Sequence, residues 1–311
     1  MLTIVPIMAG MVLAGCGEDE KQQAASSPET GSRVVRHSMG ETTVPTKPAR
    51  VVTLDPFALE ACLALGVPVV GTIMTADLDS RPFLTGKLDG VANLGTPGQV
   101  DLERTLGVGP DLILGTQGHA ESYPRLSQIA PTVLAEAAGS GQWKEIFAKF
   151  AEALGKTAEA KQVMTRYDAR IADLQAKLGD RLEETTVSIV RANIDVITIY
   201  LSESFPGTII DDVGLPRPPA QTAAAFGAQI SRERFREADA SVIFLWSYGA
   251  TSQIAKDAQT VLQNLETDPL WQQLHAVQQG RVYEVPAYWI GSGILAANAV
   301  LDDLDRYLVE R

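Results

Sequence analysis

The chain reads as an α/β protein of two lobes with mainly parallel sheets, joined by one long helix. Three observations predict this. Short β-branched runs alternate with helical periodicities through both halves, the pattern of parallel strands covered by helices. A segment of the first half is echoed in the second. Between the halves lies one long amphipathic helix.

In the first half, Arg50-Val51-Val52-Thr53-Leu54 is a strand-like run, and Pro56 to Leu65 follows with helical spacing up to Gly66, a C-cap residue type. Val67 to Thr72 reads as the next strand. Helix-like Val100 to Leu106 leads into the strand Asp111 to Gly115, and Tyr123 to Ala130 leads into Pro131 to Leu134. In the second half, strands over Val187–Val190 and Val196–Leu201 precede a helix from Pro206 to Val213. Ser231 to Ala238 reads as a helix and Val242 to Leu245 as a buried strand. The helix Val261–Leu274, the strand Arg281–Val285 and the helix Leu295–Leu308 complete the chain.

The echo aligns Leu102-Glu103-Arg104 through Leu114 on Arg232-Glu233-Arg234 through Phe244 without gaps. Each copy sets a Glu-Arg pair in a helix ahead of a buried strand, which predicts two lobes of like architecture. In the connecting helix, Val163, Tyr167, Ile171, Leu174 and Leu178 recur at intervals of three and four, giving one apolar stripe. Thr157 is the expected N-cap and Gly179 the expected C-cap. At 1.5 Å per residue this helix runs ~31 Å, enough to brace both lobes. A helical brace bends less than a pair of loops, so lobe closure is expected to be small. The expected division is an N-terminal lobe over 33–140, a linking helical region over 141–180 and a C-terminal lobe over 181–311.

The chain has 311 residues, enough for two medium domains, and 45% hydrophobic with 21% charged residues is ordinary for a globular protein. With 26 basic and 38 acidic residues the net charge is −12, which argues against nucleic acid or an anionic membrane surface as the main partner. The opening run MLTIVPIMAGMVLAGC is shorter than the ~20 apolar residues that span a bilayer, and it ends in small residues like a processing site. Leu13-Ala14-Gly15-Cys16 resembles the lipobox of bacterial lipoproteins, which implies a signal peptide over 1–16 and a lipid on Cys16, the first mature residue. No Lys or Arg precedes the apolar run, so the true start could lie upstream of Met1. Residues 17–32 are polar, small and aperiodic, the composition of a flexible tether. Cys62, inside the apolar run FALEACLALG, reads as a core residue and leaves the mature chain no internal disulfide partner.

Several chemistries lack their residues. No Gly-x-Ser-x-Gly elbow occurs, Gly155-Lys156-Thr157 has Phe150 where a P-loop needs its first glycine, and no Gly-x-Gly-x-x-Gly follows a strand. The three histidines, His37, His119 and His275, are far apart, whereas a zinc or manganese site draws on several imidazoles and carboxylates. His37 falls in an expected amino-terminal strand and His275 in an expected surface turn. His119 alone sits in a loop after a strand, where α/β folds bind ligands.

Six segments in order, RHSMGETTVPTKPARVVTLD, VDLERTLGVGPDLILG, YPRLSQIAPTVL, ISRERFREADASVIFL, PLWQQLHAVQQGRVYEVPAYW and AANAVLDDLDRYL, resemble the helical-backbone class of periplasmic binding proteins, in its iron–siderophore branch. The resemblance covers roughly residues 33–311. It implies two Rossmann-like α/β lobes, an iron(III)–siderophore held in the cleft between them, and delivery to the permease dimer of an ABC importer with its ATPase. It implies no catalysis and no cofactor, and a membrane-anchored, extracytoplasmic monomer. Iron arrives wrapped by its chelator, which agrees with the scarcity of histidines.

By the same resemblance, Arg191 at the end of its strand matches an arginine of siderophore-binding relatives, and its planar donor fork suits chelate oxygens. Trp289, just after the last strand, matches an aromatic that lines the pocket in some relatives. Loops at strand ends add Gln117, His119 and Tyr123 in the first half and Trp246 and Tyr248 in the second, with Arg81 and Phe226 on neighbouring loops. Gly98-Gln99-Val100 stands where hydroxamate-binding relatives often carry an arginine, a departure that weighs against a hydroxamate. Glu103 and Glu233, equivalent in the echo, match the one glutamate per lobe that meets permease arginines in the family. The alternatives are heme or a cobalamin on the same scaffold, with His119 or Tyr123 as an axial ligand, and, more remotely, a lipid-anchored enzyme.

Overall fold

Backbone hydrogen bonding divides the first half of the chain into two antiparallel two-stranded ribbons and one parallel sheet. The computed structural model describes residues 31–75, 78, 81–192, 196–247, 252–291 and 293–310, without the side chains of 252–259. Cys16, the segment 1–30 and Tyr248 lie outside the described residues. Strands β1 (Ser32–His37) and β2 (Gly40–Pro45) form an antiparallel hairpin. Then come β3 (Val51–Thr53), α1 (Pro56–Ala64), β4 (Val69–Thr72) and β5 (Ala92–Asn93). A small ribbon of β6 (Gly95–Thr96) and β7 (Gln99–Val100) precedes α2 (Leu102–Gly107), β8 (Leu112–Thr116), α3 (Tyr123–Ile129) and β9 (Thr132–Ala135). The first sheet has the order β5-β4-β3-β8-β9 and every pair in it is parallel.

Helices α4 (Trp143–Leu154), α5 (Thr157–Leu178) and α6 (Arg181–Glu184) lead to the second sheet. It is built from β10 (Val187–Ala192), β11 (Val196–Tyr200), α7 (Phe205–Val213), β12 (Gly227–Ser231) and β13 (Val242–Trp246). Helices α8 (Ser252–Thr267) and α9 (His275–Gln278), strand β14 (Val282–Glu284) and helix α10 (Ile294–Leu308) follow. Its order is β12-β11-β10-β13-β14, parallel from β10 to β14 but antiparallel across β10–β11 and β11–β12. Connection length is the cause for the β10–β11 pair. Only residues 193–195 separate β10 from β11, and a parallel crossover needs a dozen or more. The sheets are mainly parallel, and the second is mixed.

The bracing helix forms as its stripe demands. Tyr167, Ile171, Leu174 and Leu178 of α5 are buried and Val163 packs beside them. Gly179 caps its end with φ of 53°, a left-handed value that glycine adopts without penalty, while Lys156 rather than Thr157 takes the N-cap position. Two expectations are corrected in the second half. Arg232–Ala238 is a 3-10 helix, the form short connectors take, and His275 opens α9 instead of lying in a turn.

One apolar core runs from β3 and α1 through α4 and α5 to the face of β10 and β13 carrying Ile189 and Phe244, and on to α10. The last helix therefore serves both lobes, packing against α1 and α4 as well as α5 and α7. Trp143 of α4 donates its indole N–H to Thr208 Oγ1 of α7 at 3.1 Å and stands edge-on to Tyr167 and Phe205. Lys144 Nζ reaches both oxygens of Asp212 at 2.6 Å, and the Tyr167 hydroxyl donates to the same carboxylate at 2.8 Å. Each fully buried Phe, Leu or Ile contributes ~1.5–3 kcal/mol, so opening this junction would expose several such contributions at once. Among the described residues no helix is long and apolar enough to cross a membrane.

Candidate functional site

In a parallel sheet the carboxyl ends of the strands share one edge, and α/β folds bind ligands in the crevice beyond it. In the second sheet that edge holds Arg191 and Trp246, which pair in register across β10 and β13 and so share a face. The antiparallel strand β11 adds Tyr200 to the same face, since Thr198 is the register partner of Arg191 and side chains alternate. The Arg191 guanidinium carbon stands 4.9 Å from the Trp246 ring centroid, a cation–π distance. Tyr200 lies 5.5 Å from Trp246 and 5.4 Å from Phe226, centroid to centroid. Burial pushes the Tyr200 phenol above its ordinary value, while the Arg191 charge and hydrogen bond pull it down less strongly.

Exposure in this group is graded. Trp246 is a floor, 1% exposed, and its buried indole N–H has no hydrogen-bond partner among the described residues. Arg191 is half-buried and Phe226 is 47% exposed, an unusual setting for a large apolar ring. Below the group, Arg217 is buried and donates to the Tyr200 carbonyl, which fixes the end of β11.

At the corresponding edge of the first sheet the residues are small and polar. Asp55 caps α1 by accepting from Ala58 N–H at 3.0 Å, and its other oxygen accepts from Thr116 N–H at 2.6 Å. Desolvation pushes its carboxyl above the usual range, against the pull of those hydrogen bonds and of nearby His119. His119 is half-buried beside it, and exposed Gln117 donates to the Ala137 carbonyl at 3.3 Å.

Three expected site residues are placed elsewhere. Trp289 is fully buried, stacked on Phe244 at 4.6 Å, with its indole donating to Asp303 at 2.8 Å. The same oxygen accepts from the Tyr288 hydroxyl at 2.7 Å, so Trp289 is a core residue anchored to α10. Arg81 is buried and pairs with Glu60 at 3.1 Å, so its guanidinium serves a buried carboxylate that would be costly to leave alone. Tyr123 turns to the hairpin, 5.6 Å from the His37 ring and 3.3 Å from Thr42 Oγ1. His37 hydrogen-bonds Thr42 at 2.8 Å, and burial lowers its pKa.

Two residues that the structure brings beside these candidates were not singled out from sequence. Tyr200 carries a signal only as the outward partner in the alternation Ile197-Thr198-Ile199-Tyr200. Asp55 is marked by Pro56, since an acid before a proline is the pattern of an N-cap followed by a first helical turn. Glu103 and Glu233 are both exposed in the first turn of their helices, ahead of β8 and β13, each the fourth strand of its sheet. A hydrogen bond from its own backbone N–H, then one from Ser231, holds the Glu233 carboxyl below its ordinary value.

A family model described as Periplasmic binding protein matches residues 51–289. The probable siderophore-binding lipoprotein YfiY of Bacillus subtilis (strain 168) is 34% identical, over 99% of this chain and 98% of its own length. The Fe(3+)-citrate-binding protein YfmC of the same strain is 28% identical over 90% and 87%. Among solved structures, Staphylococcus aureus SirA complexed with staphyloferrin B matches with a TM-score of 0.78 at 25% identity, over 89% of this chain and 98% of that one.

Proposed function

The chain belongs to the periplasmic binding protein family, and from that membership we propose that it captures an iron(III)–siderophore between its lobes and hands it to the permease of an ABC importer. The observation that carries the reading is the grouping of Arg191, Trp246, Tyr200 and Phe226 over one face of the second sheet. A guanidinium within cation–π distance of an aromatic floor offers a charged, planar donor group to chelate oxygens, and an exposed ring beside it covers apolar arms. His119 and Gln117 line the facing edge. The iron is cargo, bound through its chelator, and capture involves no chemical conversion.

The same reading places a lipid on Cys16, holding the protein at the outer side of a membrane, with Glu103 and Glu233 as the contacts of the two lobes with a two-fold permease. Charge pairing of that kind mainly sets orientation and encounter rate.

Tryptophan fluorescence tests the ligand. Ferric citrate, a ferric hydroxamate and a ferric catecholate are titrated separately, and at least one quenches saturably, with most of the quenching lost in Trp246→Phe. Neither quenching nor heat with any of the three would reject the reading, and so would equal binding of iron(III) without chelator.

A further inference from the structure

Helix α10 begins at Gly293, which supplies no side-chain cap, yet its first turn is not left to solvent. Glu60, one turn into α1 and fully buried, accepts from the backbone N–H groups of Leu295 at 3.1 Å and Ala296 at 2.9 Å through one oxygen. Its other oxygen accepts from Arg81 Nη1 at 3.1 Å. Arg81 ends the segment that leaves β4 at the site edge of the first sheet, and its carbonyl accepts from Leu84 N–H. One carboxylate thus ties an edge segment of the N-terminal lobe, helix α1, and the helix that emerges from the C-terminal lobe.

A buried carboxylate carries a large desolvation cost, which a leucine on this apolar helix would avoid. Two backbone donors at a positive helix end and a guanidinium offset that cost only while all three elements hold their places. The neighbouring glycines fit the same geometry. A Cβ on Gly293 would lie 3.1 Å from Glu60 Oε2, and one on Gly291, at φ of 81°, would lie 1.8 Å from Phe205 Cγ of α7. Phe83 and Tyr288, on either side of the junction, meet edge-on at 6.0 Å.

We propose that Glu60 is a positioning residue, a clamp that sets the angle between the lobes and couples it to the site-edge segment through Arg81. Its link to ligand affinity rests on the ferric-chelate reading, whereas its control of lobe angle does not.

The test uses the mature chain with spin labels at Gln128→Cys and Arg236→Cys, exposed positions on opposite lobes. Distance distributions are measured by pulsed dipolar spectroscopy well below the unfolding transition, without ligand and then with the three ferric chelates above. Arg81→Met, which leaves Glu60 to cap α10, and Glu60→Gln, which keeps an acceptor but loses the charge, are each expected to broaden or shift the distribution. Each should also weaken the chelate that the wild type binds by roughly ten-fold, on the scale of one charge-assisted hydrogen bond. Should either variant fail to fold, Gly293→Ala crowds the carboxylate without removing a charge and is expected to shift the distribution in the same sense. A wild-type distribution in the folded variants, with only a lowered melting temperature, would overturn the clamp. If the wild type binds none of the chelates, the ferric-chelate reading fails while the distances still decide the clamp.

Discussion

The two lobes present unlike edges from like frames. In each sheet the fourth strand follows a short helix with a glutamate in its first turn, and in each its carboxyl end lies at the edge beyond which α/β folds bind ligands. In the N-terminal lobe that strand ends Gly115-Thr116, and the edge is organised by Asp55 through backbone hydrogen bonds. In the C-terminal lobe it ends Leu245-Trp246, and the antiparallel strand β11 brings Tyr200 alongside Arg191. An all-parallel sheet spends each connection on a helix and exposes only strand tips. A short antiparallel turn adds a strand whose side chains reach the same face, and that is how Tyr200 joins the Trp246 floor.

The likeness of the lobes can be broken most directly at the two glutamates. The double substitution Glu103→Ala, Glu233→Ala is expected to leave chelate affinity unchanged and abolish uptake in cells, with each single variant intermediate. Normal iron uptake by the double variant would remove both residues from the docking surface.

The unlikeness of the edges is sharpened by comparing Arg191→Ala with His119→Ala. Losing a charge-assisted bond in a partly desolvated site costs ~1.5–3 kcal/mol, so the arginine variant should bind at least ten-fold more weakly. The histidine variant should change less, because His119 offers a single half-buried ring at an edge ordered by backbone hydrogen bonds. Calorimetric titration decides it, and equal losses would mean that both edges grip the ligand alike.

The smallest effect concerns the buried acids. Asp55 and Asp303 are both raised by burial, but Asp303 holds two side chains where Asp55 holds two backbone groups. For Asp303 the folded value lies above the ordinary 3.8, so the folded state binds its proton more tightly. Its stabilising contribution is complete below that value and is lost as pH rises through the folded value. Asp303→Asn keeps an oxygen for Tyr288 and Trp289 without the charge. It should flatten this slope in urea unfolding as pH rises above the ordinary carboxylate range, the titration being set by the carboxylate. An unchanged slope would place the pH dependence elsewhere.

Much of the fold was legible in residue order because period and punctuation are local. The stripe of α5, the strands Val187–Ala192 and Val242–Trp246, and the stop at Gly179 follow from side-chain spacing and backbone freedom alone. Arg191 and Trp246 could be singled out as candidates because each lies at the carboxyl end of a buried strand. Trp289 was misleading for the same reason: it also follows a strand, but its fate turned on Asp303, fourteen residues away on another helix.

Sequence by itself determined the alternation of strands and helices, the brace, the echo that sets Glu103 against Glu233, and the absence of a nucleophile elbow or dinucleotide loop. Only the tertiary structure decided which polar groups turn inward. Glu60 looks like a lone acid in an apolar helix until Arg81 and the first turn of α10, more than two hundred residues on, arrive to satisfy it. Tyr200 joins Arg191 and Trp246 only once β11 pairs with β10. Hydrophobic period is written in neighbours along the chain, whereas the partner of a buried charge is chosen across space by the cost of leaving it alone.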